Sequence, residues 1–161
     1  MSAAVSTEAW LERVLSAAGE VSAMTFDAVA NDIQRTEGLP SNKEGSLLSV
    51  QRGAESLHLG ILSDAKGCQA LTRALLQMEE DEEVVDEDIT DAVGEIINIL
   101  AGVVQRSFDG EGAPVTLGLP VYIRGEIFPP AKAESLCANL NLGPARADII
   151  VFRGDLPKKN S

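Results

Sequence analysis

The sequence predicts an α+β fold, with long helices packed on an antiparallel sheet. Two observations carry this. Blocks with apolar residues at helical spacing alternate with blocks of period two, in the order helix, hairpin, helices, consecutive hairpin-like strands. The apolar content is Leu, Ile, Val and Ala with one Trp, one Tyr and four Phe, so an aliphatic core is expected. A chain of 161 residues fits one domain of ordinary size. That domain is expected over 1–161, with 1–5 and 156–161 as frayed tails.

The first helix is expected to start after Ser6 or Thr7, either of which can cap it, and to end near Ala18 or Val21. Trp10, Leu11, Val14 and Ala18 give it one apolar face. Residues 36–44 form a loop punctuated by Gly38 and Pro40. Leu48 and Val50, then Leu57, Leu59 and Ile61 after a turn at Gly53, alternate with polar residues and predict a hairpin with one buried face. A second helix is expected over 65–78, with Cys68, Leu71, Leu75 and Met78 inward. A third runs from Asp86 or Asp88 to Phe108. After Gly110 and Gly112, strands are expected at 115–119, 121–128, 134–142 and 147–153.

The formal net charge is −12, so phosphate backbones and anionic lipid repel the chain, which argues against nucleic acid or a membrane as partner. There is no long apolar run and no basic-then-apolar leader, so a cytoplasmic protein is expected. Cys68 and Cys137 lie far apart without a CxxC or histidine partner and are expected to be incidental buried thiols. His58 alternates onto the face opposite the core. The acidic run 79–88 lacks the ordered spacing of a calcium loop and reads as solvated. No metal site is expected. Gly-rich phosphate loops, a serine nucleophile elbow and a Cys–His pair are all missing from the sequence.

The third helix carries the most information. Ile89, Ala92, Val93, Ile96, Leu100, Val103 and Val104 form its core stripe. Asp91, Glu95 and Asn98, at i, i+4 and i+7, cluster opposite it within about one sixth of a turn. Gly102 continues that line and Gly94 lies beside it. Helix-interior glycines cost about 0.5–1 kcal/mol relative to alanine, and one explanation is that another surface approaches closely. A carboxylate can pair with a partner's cation, and a carboxamide can both donate to and accept from one water. Taken alone, the row is also what a solvated helix face carries, and Asp91 is also a favourable dipole charge.

The run Asp91-x3-Glu95-x2-Asn98, followed by Pro120 22 residues after the asparagine, resembles the signature of the CheC/CheX/FliY chemotaxis phosphatases. The surrounding stretches SVQRGAESLHLGIL, AKGCQALTRALLQM and PVTLGLPVYIRGE resemble the CheX arrangement. With one such helix in a chain of this length, the single-motif CheX type is the closer match. The resemblance implies a phosphatase acting on the aspartyl-phosphate of a CheY-like response regulator, in chemotaxis or another two-component pathway. Glu95 would pair with the regulator's active-site lysine, and Asn98 would orient the attacking water. Asp91 would support docking, and Pro120 would be structural. Gly94 and Gly102 are read as docking positions from their place on the helix, where they leave a partner clearance, and not from the family signature. No cofactor of its own is implied, because Mg2+ belongs to the partner regulator. A homodimer joined through sheet edges is also implied, with 121–128 and 147–153 as candidate strands. The alternative is a non-catalytic binding or scaffold module of the same fold in a flagellar switch or signalling assembly. A weaker one is an unrelated acidic interaction domain.

Overall fold

The computed structural model describes residues 4–125 and 134–153. The expected strand end at Phe128 and the 156–161 tail lie outside them. Three helices cover one face of a seven-stranded antiparallel sheet of order β1-β6-β7-β3-β2-β4, with β5 also paired to β2. The elements are α1 (Thr7–Phe26), β1 (Asn31–Thr36), β2 (Lys43–Arg52), β3 (Glu55–Ser63), α2 (Ala65–Leu76), α3 (Asp86–Ser107), β4 (Val115–Leu117), β5 (Val121–Gly125), β6 (Ser135–Leu142) and β7 (Ala145–Arg153).

Ser6 is the cap of α1, its hydroxyl accepting from Ala9 N at 3.1 Å. This helix runs beyond the expected end because Val21 and Ser22 are still buried. Asp64 caps α2, and Gln77 in the left-handed region (φ 56°) stops it before Met78. The hairpin β2–β3 pairs in continuous register from Glu44↔Ser63 to Arg52↔Glu55, turning at Gly53 (φ 60°). Its strands exceed the expected ones because flanking polar residues also pair.

Leu48, Val50, Leu57, Leu59, Ile61, Ala147, Ile149 and Val151 meet Trp10, Leu11, Val14, Ile96, Ile97, Leu100 and Val104 in the main core. The reading of a hairpin with one buried face is corrected. Leu47 and Leu62 join Cys137, Ile150 and Phe152 in a second cluster on the other side, with Leu39 and Ile123 against it. His58 is on that side as read, but it is buried and stacks on Phe152, ring centroids 5.0 Å apart.

Two further corrections concern the edges. Sequence reading missed β1, whose six residues are all exposed and so carry no alternation. The candidate edge strand at 147–153 is interior, because β7 pairs with both β3 and β6. The expectation of a frayed tail over 1–5 is corrected at Val5, whose N–H donates to Glu55 Oε1 at 3.0 Å and whose carbonyl accepts from Arg153.

Candidate functional site

Helix α3 lies between the sheet and solvent. Asp86, Glu87 and Asp88 fill its first turn, which suits the positive end of the dipole. They stand in place of a side-chain cap, since Val85 at the N-cap position makes no such bond. Ten residues of the helix are buried, from Ile89 to Val104, including Ile96, Ile97, Leu100 and Ala101 with essentially no exposure. With that stripe fixed against α1, α2 and the sheet, helical geometry leaves no choice about the opposite side. Asp91, Glu95 and Asn98 are all exposed. The structure thus brings the three predicted polar residues into one solvent-facing row on a rigid element.

Sequence reading expected Gly94 to leave clearance for a partner, and here the placement differs. Gly94 is buried, and a Cβ built on it would lie 3.6 Å from Cβ and 3.9 Å from Cγ of Pro120. The space over Gly94 is therefore filled from within the chain. Pro120 stands where the chain leaves β4 and enters β5. Just before it, Gly118 N donates to Ser49 O at 2.9 Å, and Val121 then pairs with Leu47. Both sides of the proline are pinned to β2, so its ring braces the flank of α3 next to Glu95. Gln105 adds a second brace on this flank, its Nε2 donating to Val115 O at 2.8 Å.

Gly102 is half-buried, and the space above it is also taken. Arg106 Nη1 lies 3.5 Å from where its Cβ would be. Sequence reading passed over Arg106, although it sits four residues beyond Gly102 on the same line and i+4 spacing was enough to find it.

Other groups near the helix are structural. Tyr122 Oη donates to Glu44 Oε2 at 2.5 Å, and Arg124 bridges Glu44 and Asp86, tying β5 to β2 and to the start of α3. Burial foremost, then the hydrogen bond to Glu44, pushes the Tyr122 phenol far up. Cys68 packs with Ile89 and Val93, and burial pushes its thiol up to about 11. A thiol held protonated in this way is a poor nucleophile. In the acidic run, Glu82 closes a turn by accepting from Glu79 N and Arg73 Nε. Among the described residues, no group of three or more His, Cys, Asp or Glu is placed to hold a metal ion. No helix among them is long and apolar enough to cross a membrane.

Three helices on one antiparallel sheet, with the motif helix packed against the other two and against the sheet, place the protein among the CheC-like folds. A chemotaxis protein CheX from Desulfovibrio desulfuricans superposes with a TM-score of 0.73 at 13% identity, over 90% of this chain and 99% of that one. A CheC-like superfamily protein from Shewanella gives 0.71 at 16%, over 91% and 97%. A CheX–CheY–BeF3–Mg2+ complex from Borrelia burgdorferi gives 0.67 at 16%, over 89% and 96%. No curated protein matches the sequence. The family profile described as chemotaxis phosphatase CheX matches residues 50–140, more than half of the chain, and the chain belongs to that family.

Proposed function

We propose that this protein dephosphorylates the aspartyl-phosphate of a CheY-like response regulator, with Glu95 and Asn98 as the working pair. One observation supports this above the rest. The two side chains stand exposed and adjacent on the outer face of a helix whose other side is locked in the core.

Phosphoryl transfer asks little covalent chemistry of a protein and depends on positioning and charge. The regulator brings the phosphorylated aspartate, a lysine and Mg2+. The Borrelia complex holds a CheY with Mg2+ and BeF3. Glu95 would accept from the regulator's lysine and set the helix across its active site. One turn further on, the Asn98 amide would enter that site, donating to and accepting from a single water in line with the phosphorus–oxygen bond. Asp91 would support docking at the start of the row, and Pro120 on Gly94 would hold the helix flank. Two copies would join along a sheet edge, for which β1 and β5 are available.

The test is the decay of a phosphorylated CheY-like regulator with and without this protein, alongside Asn98→Ala. Faster decay that vanishes in the variant supports the reading. A folded protein that accelerates no regulator would shift the weight to a binding module of the same fold.

A further inference from the structure

We infer that Arg106 recognises the phosphoryl group that Asn98 faces, acting as a guanidinium supplied in trans to the regulator. This rests on the reading above and names a further residue of the same site.

Position is the first support. Arg106 continues the line of Glu95, Asn98 and Gly102, and its Nη1 lies over Gly102, 3.5 Å from the Cβ position. Gly102 is about 6 Å along the helix from Asn98, so a phosphoryl group held above the asparagine is within the sweep of this guanidinium. A larger residue at 102 would occupy that place, which gives the helix-interior glycine a use.

Its freedom is the second support. Among the described residues, Arg13, Arg35, Arg52, Arg73, Arg124, Arg146 and Arg153 each donate to an acceptor within the chain. Arg106 is exposed and donates to none of them. Arg106 and Glu20 both line a groove between α1 and α3, and no ion pair joins them. In a chain of net charge −12 this is an available cation beside the site.

Chemistry is the third. During transfer, charge spreads over the phosphoryl oxygens, and an arginine from a partner protein is a recurrent way to stabilise it. The planar fork suits two oxygens at once, which a lysine cannot match. Arg106 also favours the negative end of the helix dipole. That contribution changes stability and is blind to whether the partner is phosphorylated.

The experiment measures affinity for a CheY-like regulator in two forms, with Mg2+ alone and with Mg2+ plus beryllofluoride. Proteins compared are wild type, Arg106→Ala, Arg106→Lys and Asn98→Ala. Arg106→Ala is expected to weaken binding of the beryllofluoride form about tenfold, change the Mg2+ form less than about twofold, and lower the thermal midpoint by at most about 4 °C through the lost dipole contribution. Arg106→Lys should recover part of the loss. Equal weakening of both forms, or of neither, overturns the inference. Stimulated decay that is lost in Asn98→Ala but unaltered in Arg106→Ala, with the affinity ratio unmoved, sinks Arg106 and leaves the phosphatase standing. If wild type neither binds nor accelerates decay, both readings fall together.

Discussion

Pro120 lies against the bare backbone of Gly94, its Cβ 3.6 Å from where a glycine side chain would begin. Twenty-six positions apart in the chain, the two make one contact between the flank of α3 and the β4–β5 link. Gly94 immediately precedes Glu95, so whatever sets the height of Pro120 also bears on the position of the acidic row.

This contact predicts a size threshold at position 94. Alanine would meet Pro120 at ordinary van der Waals distance and gain helix propensity, so Gly94→Ala should be neutral or stabilise by up to about 1 kcal/mol. Gly94→Phe must push the β4–β5 link away, and overpacking should cost about 1–3 kcal/mol. Urea titration measures both, and regulator decay should slow in the phenylalanine variant alone. Equal stability and activity across Gly, Ala and Phe would show that the contact constrains nothing.

Glu95 and Asn98 should separate kinetically. Glu95→Gln removes one charge of an ion pair formed in the complex, so KM should rise about tenfold and its salt dependence should flatten, with kcat moving less. Asn98→Ala removes the group that positions water, so kcat should fall at least about a hundredfold with KM little changed. Both side chains are exposed, and neither substitution should change the unfolding free energy by more than about 0.5 kcal/mol. Stimulated decay at saturating and limiting protein separates the two effects.

The row on α3 was legible because a single strong stripe, Ile89 through Val104, dictates what faces out. The hairpin was legible for the same reason at period two. Strand β1 was not: Asn31–Thr36 pairs along the sheet edge with every residue exposed, so its hydrogen bonds leave no mark in the apolar pattern. The second apolar cluster was hidden differently. Leu47 and Leu62 continue apolar runs on β2 and β3, and Ile150 and Phe152 alternate with Ile149 and Val151, so strands buried on both faces lose the contrast that alternation needs. A helical wheel shows only its own helix, so Gly94 looks open on it. Its cover comes from Pro120, a long-range contact that no local pattern encodes.

Both thiols should be silent in the native protein. Burial pushes Cys68 and Cys137 up to about 11, and each is about 1% exposed. At pH 8 an aromatic disulfide reagent should label neither at an appreciable rate, and both within seconds in denaturant. Fast native labelling of Cys68 would reveal opening between α2 and α3.

Glu55 should set the acid limit of the fold. It joins three segments: Oε1 accepts from Val5 N at 3.0 Å, Trp10 Nε1 at 3.4 Å and Arg153 Nη1 at 3.3 Å, and Oε2 accepts from Arg52 Nη1 at 3.3 Å. Desolvation is the largest single influence and raises its pKa. The bonds from Val5, Trp10 and Arg153 together outweigh it and hold the carboxyl below the ordinary 4.5. A carboxylate depressed on folding contributes stability that is present above the unfolded value and is lost as pH falls through the folded one. The urea midpoint should therefore decline on acidification from about pH 5 downward. Glu55→Gln should flatten that decline and cost about 3 kcal/mol at neutral pH, because it leaves Arg52 and Arg153 without their carboxylate in a site where Glu55 is 11% exposed. Glu8→Gln is the control. Its carboxyl is also lowered, chiefly by the hydrogen bond from Arg35, but the pair is open to solvent and screened, so the acid limb should stay close to wild type. If Glu55→Gln keeps the wild-type pH slope, the acid sensitivity comes from another carboxylate and the three-segment anchor contributes little.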